Sequence, residues 1–334
     1  MKKTFIISEI AQAHDGSLGI LHSYIDALAK TGIDAIKFQT HIAHAESSSK
    51  EPFRVNFSYV DKTRYDYWKR MEFSKEQWKE IKRHCEDVGL EFMSTPFSLE
   101  AVSLLEEIGM NRYKVSSGDV ENFLLLERIA KTKKEVLISS GMSSFSQLEL
   151  AVEFLETFGI DVSIFQCTSM YPTPANKVGL NVIEEMKKKF NRPIGLSDHT
   201  GSIYASLAAV TLGASLIEVH AVFDKKMFGP DSNSSLEIDE ISQLVEGIRF
   251  IDEINSHPVN KENNSEFAKM NKIFGKSLAV NKSLQNGDVI TFDDLECKKP
   301  FGFGISAKDY KNAIGKKLNT AKEAQEFLTE EDVY

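Results

Sequence analysis

The sequence has few cysteines, no long apolar run and no excess of positive charge. Its three cysteines, Cys85, Cys167 and Cys297, are too widely spaced for a structural zinc site or a disulfide framework, so we expect reduced packing residues. No stretch approaches about 18 uncharged apolar residues, and the N-terminus reaches acidic residues too early for a secretory signal, which predicts a cytoplasmic protein. The net charge of −9 argues against nucleic acid or an anionic membrane as a partner, because both require an extended basic face. An anionic ligand would therefore need a local cluster of cations.

Strand-like and helix-like segments alternate along most of the chain. With 334 residues and 42% hydrophobic content, the chain can form a large domain and a smaller one. Eight short runs are rich in Ile, Val, Phe and Leu, and most segments between them have helical periodicity. The runs are residues 4–11, 35–41, 91–97, 112–118, 135–141, 162–168, 193–199 and 216–222. This alternation predicts a (β/α)8 TIM barrel of parallel strands with helices outside.

Polar residues end nearly every one of these runs. They include Glu9, Lys37, Gln39, Ser94, Thr95, Lys114, Ser116, Ser117, Ser139, Ser140, Thr168, Ser169, Ser197, His199, Glu218 and His220. A single end such as PIGLSDHTGS (193–202) is also typical of a helix cap, because Ser, Asp and Thr accept hydrogen bonds from free helix amides. The carboxyl ends of barrel strands converge on one face, where active sites of this architecture lie. Eight polar ends together favour a functional site.

Two lysines among these strand ends indicate an anionic ligand. Lys37 and Lys114 would both point into the barrel, where Lys seldom lies without an anionic partner, although either could instead extend outward to water. Small hydroxyls and glycine-containing turns surround them in the predicted barrel, as at Thr95, Ser117 and Ser139. Such groups bind phosphate and carboxylate oxygens. A small phosphorylated acid is the predicted ligand.

Two histidines end the seventh and eighth predicted strands. His199 and His220 would then lie on neighbouring strands about 4.8 Å apart, so both imidazoles could bind one Mn²⁺-like or Zn²⁺-like ion. Each could instead form only hydrogen bonds inside the barrel mouth. Glu218 precedes His220 by two residues and would share its side of the strand, where it could orient the site or balance its charge. The other histidines show no comparable pairing.

Two segments interrupt the barrel pattern. Residues 42–73 are too long for an ordinary connection and too aromatic for disorder, which predicts a packed lid or a subunit contact. Residues 228–237 form a polar loop after the eighth run, and Asp231 in that loop is either a substrate contact or an ordinary turn residue.

The pattern changes again near residue 255. We expect a catalytic barrel over residues 1–256, a polar linker over 257–275 and a small second domain over 276–334. Strand-like segments, an Asn-Gly turn and a glycine-rich loop characterise the last of these. Its Lys298-Lys299-Pro300 step is either a surface charge run or part of a loop that reaches the main site.

The motifs taken together resemble those of a known family. EIAQAHDG, IKFQTH, STPF, YKVSSGD, SSGM, CTSMYPTP, GLSDHT, EVH and GPD occur in the order found in the sialic acid synthase family, which includes N-acetylneuraminate, legionaminate and pseudaminate synthases. The similarity extends through nearly the whole chain. It implies a β/α barrel followed by an antifreeze-like (SAF, β-clip) domain.

The resemblance also implies an activity. Members of the family condense phosphoenolpyruvate with a 2-acetamido aldose and water, and release phosphate and a nine-carbon nonulosonic acid. The sugar would be N-acetylmannosamine or a 2,4-diacetamido-trideoxy hexose. The implied metal is Mn²⁺, with Mg²⁺ or Co²⁺ as alternatives, and His199 and His220 would bind it.

The remaining site residues follow from matching positions in the family. Lys37, Thr95 and Ser197 match the phosphoenolpyruvate carboxylate site, and Lys114, Ser117, Ser139 and Ser169 match the phosphate site. Glu9 matches an acid/base, and Tyr171 and Asp231 match sugar contacts. A family arginine that reaches the sugar from the second domain of a domain-swapped homodimer is replaced here by Lys299 of the partner subunit.

Two other functions remain open at this stage. A metal-dependent aldolase on the same barrel would use the paired histidines but would not need the second domain. A non-catalytic carbohydrate-binding or ice-binding protein could keep the second domain but would have no use for Lys37, Lys114 and the two histidines.

Overall fold

The computed structural model describes residues 3–55 and 57–334. The chain divides between His257 and Pro258 into two compact units. Residues 258–275, which read as a linker in the sequence, group with the second unit and contain a short helix. Within the described residues, no helix is both long and apolar enough to cross a membrane.

Eight parallel strands form the wall of the first unit. They are β1 (Phe5–Glu9), β2 (Ala35–Thr40), β3 (Glu91–Pro96), β4 (Arg112–Val115), β5 (Glu135–Ser139), β6 (Val162–Cys167), β7 (Ile194–Asp198) and β8 (Leu216–Val222). Each strand pairs with the next, and β8 pairs with β1, which closes the barrel. The two-residue strand β9 (Leu236–Glu237) pairs with the end of β8. The predicted (β/α)8 barrel is confirmed, and each of β1 to β8 lies within its predicted run.

Helices connect and cover these strands. They are α1 (Leu18–Leu28), α2 (Ala43–Glu46), α3 (Arg64–Met71), α4 (Lys75–Asp87), α5 (Leu99–Glu107), α6 (Phe123–Ala130), α7 (Phe145–Thr157), α8 (Leu180–Phe190), α9 (Tyr204–Thr211) and α10 (Ile238–Ser256). Reciprocal capping boxes begin α4 at Ser74 and α7 at Ser144, because each serine is followed three residues later by Gln. In α4 the apolar spacing of Trp78, Ile81 and Cys85 gives one buried face.

The barrel interior changes from apolar to polar toward the carboxyl ends of the strands. Ile7 packs in an apolar interior layer, and Glu9, two residues later on the same side of β1, reaches the mouth. In β8, Leu216 lies in the same apolar layer, and Glu218 and His220, two and four residues later on the same side of the strand, reach the mouth. The interior layer consists of Ile7, Ala35, Met93, Leu137, Phe165 and Leu216. This layer supports the polar residues that lie directly above it.

The segment between β2 and α4 is packed, as its aromatic content predicts. Tyr67, Trp68 and Met71 of α3 form a buried cluster with Ala43 of α2. Phe53, Phe57 and Tyr65 pack against this cluster. A capping box at Thr63 begins α3. The segment therefore presents defined side chains rather than a flexible link; Asn56 within it lies outside the described residues.

The second unit has its own small apolar core. Strand β10 (Ser277–Val280) pairs antiparallel with β11 (Leu295–Lys298), and helix α11 (Ala268–Phe274) precedes them. Leu278, Val280, Leu284, Ile290, Ile305, Ala313, Leu318, Leu328 and Val333 form the core. The predicted Asn-Gly turn has a left-handed Gly287, with φ +91°.

The cysteine prediction is partly wrong. All three cysteines are free thiols, and Cys85 and Cys167 are buried as expected of packing residues. Cys297 lies in the short strand β11 and is exposed.

Candidate active site

A cavity of about 610 Å³ opens at the carboxyl ends of the barrel strands. It is lined by every candidate site residue that the sequence places in the barrel: Glu9, Lys37, Thr95, Lys114, Ser117, Ser139, Ser169, Tyr171, Ser197, His199, His220 and Asp231. Glu218 lines it as well. Residues separated by more than 200 positions in the chain thus meet in one place, because parallel strands end on the same face of the barrel.

Alternating charges form the floor of this cavity. Lys37 Nζ lies 2.8 Å from Glu9 Oε1 and 3.7 Å from Glu218 Oε2. Lys114 Nζ lies 2.9 Å from Glu218 Oε1, which also accepts a 2.9 Å hydrogen bond from Ser197 Oγ. The four charged side chains are at most 4% exposed. The alternative that the lysines extend outward is therefore wrong, and the charge-balancing role considered for Glu218 matches its contacts.

Both carboxylates of the floor are ionised near neutral pH. Burial raises the pKa of both Glu9 and Glu218, but the neighbouring lysines outweigh it and hold the pKa of both carboxyls below the usual range. Burial opposes the charge on Lys37, yet Glu218 and Glu9 raise the pKa of its ammonium. Glu9 is consequently a carboxylate that can accept a proton but has none to donate.

The two histidines lie beside this floor on neighbouring strand ends. Their ring centroids are 5.3 Å apart, and His220 Nε2 lies 3.4 Å from Glu9 Oε2. His199 Nδ1 lies 3.0 Å from the Thr168 carbonyl oxygen, which can only accept, so Nδ1 carries the proton and Nε2 keeps its lone pair. Burial, followed by the nearby His220, lowers the pKa of His199 to about 4. His199 is therefore neutral near pH 7, which is the form that binds metal.

The pair fits an open metal site better than a closed one. Among residues 3–55 and 57–334, no group of three or more His, Cys, Asp or Glu side chains is arranged to hold an ion. An ion bound by His199 and His220 would thus complete its coordination with water or ligand oxygens, as catalytic metal sites do. The donor chemistry of the two imidazoles is compatible with such an ion.

The helix-cap interpretation of this strand end applies to Asp198 alone. Helix α9 begins at Tyr204, its N-cap residue Ile203 has no side-chain cap, and the Asp198 carboxylate bonds to Ser206 in its first turn. Asp198 faces away from the cavity, where it accepts 2.8 Å hydrogen bonds from the Thr200 amide and the Ser206 hydroxyl. Ser197 and His199, on either side of it, line the cavity. The alternation of a strand explains why polar residues cluster at this end.

Small hydroxyls line the side of the cavity near β4 and β5. Ser139 Oγ is buried and has no hydrogen-bond partner within the described part of the chain. Ser117 Oγ accepts a 2.9 Å hydrogen bond from the Gly141 amide. A Cβ at Gly141 would lie 2.4 Å from Ser169 Oγ, so only glycine permits this close approach of the turn to the hydroxyls. These groups offer donors to the oxygens of an anion.

The upper part of the cavity contains an arginine that the sequence analysis missed. Tyr171 stacks on His199 with ring centroids 4.1 Å apart, and the Arg54 guanidinium lies 4.1 Å from the Tyr171 ring centroid. Arg54 Nη2 also donates a 2.5 Å hydrogen bond to Asp231 Oδ1. Asp231 is thus more than a turn residue, because its side chain joins the loop after β8 to residues 42–73.

A third histidine, which the sequence analysis did not pair with His199 and His220, lines the cavity. His41 follows β2 and is buried, with Nδ1 2.7 Å from Glu46 Oε1 and Nε2 3.2 Å from Gln39 Oε1. Gln39 Nε2 in turn donates a 2.7 Å hydrogen bond to Glu9 Oε1. His41 lies two residues after Gln39 and therefore on the same side of the extended chain, and this spacing could have identified it as a cavity residue. Lys299 belongs to the second unit, where its ammonium lies 5.1 Å from the Phe274 ring centroid.

Comparison with known proteins identifies the family. A model described as the NeuB family matches residues 24–259. The chain belongs to the NeuB family. It is 34% identical to the N,N'-diacetyllegionaminic acid synthase of Campylobacter jejuni, over 99% of this chain and 100% of that protein. It is also 34% identical to the human N-acetylneuraminate-9-phosphate synthase, over 98% of this chain and 92% of that one.

A solved structure supports the same assignment to the NeuB family. The N-acetylneuraminic acid (sialic acid) synthetase of Leptospira borgpetersenii, in complex with citrate, superposes with a TM-score of 0.71 at 31% identity. The alignment covers 80% of this chain and 90% of that chain. The resemblance to sialic acid synthases inferred from the motifs is confirmed.

Proposed function

We propose that this NeuB-family protein condenses phosphoenolpyruvate with an open-chain 2-acetamido aldose and water, releasing phosphate and a nine-carbon nonulosonic acid. The observation that carries the proposal is the buried floor of Lys37, Lys114, Glu9 and Glu218 beside the neutral His199 and its neighbour His220. The names of its relatives, which are synthases of such acids, support the same reaction.

In the proposed binding mode, one lysine binds the carboxylate of phosphoenolpyruvate and the other binds its phosphate. Lys37, Thr95 and Ser197 would bind the carboxylate, since Lys37 Nζ already lies 3.3 Å from Thr95 Oγ1. Lys114, with the hydroxyls of Ser117, Ser139 and Ser169, would bind the phosphate. The buried Ser139 hydroxyl, which has no hydrogen-bond partner among residues 3–55 and 57–334, would gain one from a phosphate oxygen. A charge-assisted hydrogen bond of this kind contributes about 1.5 to 3 kcal/mol.

Bond formation and phosphate loss redistribute both protons of the attacking water. The enol carbon of phosphoenolpyruvate attacks the aldehyde carbon, whose oxygen becomes an alkoxide, and water adds to the resulting cationic carbon. We assign to the Glu9 carboxylate the first proton lost by the water, which passes on to the alkoxide to make the new hydroxyl. The carbon then loses phosphate by cleavage of its C–O bond, and the second proton of the water leaves with the phosphate as the ketone forms. His199 and His220 would hold a divalent ion, which we propose to be Mn²⁺, with Mg²⁺ or Co²⁺ as alternatives, and its charge would polarise the aldehyde.

The sugar would occupy the upper cavity. Tyr171 and Asp231 are the proposed contacts, and the Arg54 guanidinium fixes both by lying over the ring of one and pairing with the carboxylate of the other. We extend the proposed set to Arg54 on this ground. Holding the aldehyde and the enol together is itself a large part of the rate enhancement that such a site can provide.

Phosphate release tests the proposal directly. Purified protein with Mn²⁺ is mixed with phosphoenolpyruvate and a panel of 2-acetamido aldoses, released phosphate is measured, and products are identified by mass spectrometry. We expect sugar-dependent phosphate release and a product whose mass equals the sum of aldose and pyruvic acid. Carbon–carbon bond formation from pyruvate without phosphate release would indicate a metal aldolase instead. Sugar binding without any turnover would indicate a carbohydrate-binding protein.

We also propose that the second unit is an antifreeze-like domain that acts in trans. Lys299 is exposed, next to the partly exposed Phe301 and Phe303, so this loop is available for a contact. Lys299 of the partner subunit would complete the sugar site in a domain-swapped homodimer. A Lys299→Ala chain mixed with a His199→Ala chain should recover part of the activity, because one site in the heterodimer is intact. No recovery in verified heterodimers, or a monomeric protein, would contradict this arrangement.

A further inference from the structure

Two histidines on the outer layer of helices face each other, and neither lines the cavity at the barrel mouth. His22 lies in α1 and His84 lies in α4, 62 positions apart in the sequence. Their Nδ1 atoms are 2.8 Å apart, whereas their ring centroids are 4.9 Å apart, so both nitrogens lie between the rings and point toward each other. The side chains are 23% and 24% exposed, so a dissolved ion can reach the pair from solvent.

A carboxylate lies behind each imidazole, on the side away from the other ring. His22 Nε2 is 3.6 Å from Glu80 Oε1, and His84 Nε2 is 3.0 Å from Asp26 Oδ1. Each helix supplies one histidine and one carboxylate four residues apart, which places both on the same face of that helix. Each carboxylate thus contacts the histidine of the other helix. An outer carboxylate of this kind commonly fixes the ring and the tautomer of a metal-binding histidine.

Protons alone do not satisfy the pair near neutral pH. A carboxylate oxygen only accepts, so His84 Nε2 carries the proton of its ring and His84 Nδ1 keeps a lone pair. The single proton of a neutral His22 must then lie on Nδ1, between the rings. His22 Nε2, which is buried and has no hydrogen-bond partner in residues 3–55 and 57–334, is left with a lone pair toward Glu80. Burial, followed by the charge of His84, lowers the pKa of His22 below its ordinary value, so a second proton is not retained at pH 7.5.

The geometry points to a metal site in which His22 and His84 bind one divalent ion of the Zn²⁺ type through their Nδ1 atoms. The proton of His22 moves to Nε2, where it faces Glu80, and no proton is lost. Imidazole nitrogens are ligands that such ions prefer. Two Zn–N bonds in a tetrahedral arrangement place their nitrogens about 3.3 Å apart, so the rings need to separate by only about 0.5 Å.

The two carboxylates orient the ligands and do not bind the ion themselves. Asp26 and Glu80 contact the outer nitrogens, which agrees with the finding that no three His, Cys, Asp or Glu side chains in the described part of the chain are arranged around one ion. Water completes the coordination. Helix α4 begins at Lys75, directly after residues 42–73, so the ion ties the end of this inserted segment to α1. The folded chain is stabilised as a result, because the unfolded chain lacks the preformed pair.

A zinc titration of the full chain tests this site. Calorimetry at pH 7.5 should show that His22→Gln and His84→Gln each bind one Zn²⁺ fewer than the unmodified protein, with affinity at this site reduced by at least about 100-fold, more than the loss of an outer partner causes. Zn²⁺ should raise Tm less in both variants than in the unmodified protein. The difference between the chains does not depend on what the barrel mouth binds. Equal zinc stoichiometry and equal Tm increases in all three proteins would overturn the inference.

Two further variants separate metal binding from folding. Asp26→Asn, at an exposed position, should keep the stoichiometry but weaken Zn²⁺ binding at this site about 10-fold, because Asp26 orients His84. His257→Gln is the matched control, since His257 also has a carboxylate neighbour, Glu253, at 3.2 Å. It should bind as much Zn²⁺ as the unmodified protein. An unchanged affinity in Asp26→Asn, or the same loss in His257→Gln as in His22→Gln, would contradict a site built from this pair.

Discussion

The floor of the cavity differs in construction from its side lobe, the part lined by His41, Glu46, Glu51, Arg64, Trp68 and Phe97. Floor residues lie on barrel strands, and the ammonium of each lysine already has a carboxylate partner within 3 Å. Lobe residues come mainly from an inserted segment, and Glu46 and Arg64 keep polar atoms without partners in the described chain. The floor is therefore held by its own ion pairs, whereas the side lobe depends on how the inserted segment packs.

The largest effect is expected at the histidines beside the floor. His199→Ala or His220→Ala removes one of two protein ligands to the proposed ion, whose polarisation of the aldehyde is worth several kcal/mol, so kcat should fall by about 10³-fold or more. Binding of Mn²⁺ by calorimetry should weaken in parallel while the circular dichroism spectrum stays unchanged. His257→Ala, at the exposed end of α10, is the control. Undiminished turnover of the unmodified protein in metal-chelated buffer would remove the ion from the mechanism.

Replacing a lysine of the floor should weaken the binding of phosphoenolpyruvate much more than the binding of the sugar. Lys114→Met should raise KM for phosphoenolpyruvate by about 10- to 100-fold, because a charge-assisted contact of about 1.5 to 3 kcal/mol is lost, and should change KM for the sugar much less. The same change leaves Glu218 with one partner fewer and lowers Tm.

The double variant Lys114→Met with Glu218→Gln separates these two effects. The second substitution removes the negative charge of Glu218, which has lost its Lys114 partner. Tm should therefore rise again toward the original value, while the weak binding of phosphoenolpyruvate persists. If KM for phosphoenolpyruvate is unaffected in Lys114→Met, the lysine does not contact the phosphate.

The sequence allowed the barrel and the floor to be predicted because a strand has a period of two. Once eight apolar runs were assigned to parallel strands, positions such as Lys37 and His220 had to converge at the mouth. The partners of the lysines could not be predicted in this way. Both were expected to await an anionic ligand, but in the structure they pair with Glu9 and Glu218, since burial without a counter-charge would cost several kcal/mol.

The side lobe could not be predicted from any local pattern. Residues 42–73 have no sustained periodicity, and the positions of Arg54, Glu46 and Arg64 depend on how the aromatic cluster packs. An unpartnered atom is also invisible in a sequence, because it is defined by what surrounds it. The segment was recognised as packed from its composition, but its contribution to the cavity was not.

Arg54 offers an intermediate test, since it lies between the two regions. Arg54→Met should raise KM for the sugar about 2- to 5-fold, because a partly exposed cation over an aromatic ring contributes about 0.5 to 1 kcal/mol. KM for phosphoenolpyruvate should not change. Arg54→Lys keeps the charge without the planar group, and full recovery in that variant would mean that stacking on Tyr171 is unimportant.

The smallest effect concerns a histidine outside both regions. Burial, followed by the charges of His41 and Arg70, lowers the pKa of His14 to about 3, against about 6.5 in an unfolded chain. Because the unfolded state binds the proton more readily, stability is lost as pH falls from 6.5 toward 3. Between pH 7.5 and 5.5 the free energy of unfolding should fall by about 1 kcal/mol from this group.

His14→Asn is the matched variant, because its side-chain oxygen can still accept the 3.0 Å hydrogen bond that the Gly16 amide donates to His14 Nδ1. Urea denaturation at both pH values should show a shallower dependence in the variant. Identical slopes in the two proteins would exclude His14 as the source of the change.

The paired floor also has a consequence for how ionic strength acts on the protein. Lys37 and Lys114 are already neutralised by side chains of the protein itself. In the proposed binding mode, phosphoenolpyruvate would therefore exchange one counter-charge for another and displace no salt ions from the lysines. Charges buried this deeply are also poorly screened by dissolved salt. Affinity for phosphoenolpyruvate should therefore vary little between dilute and concentrated buffer, unlike that of a surface site with open lysines.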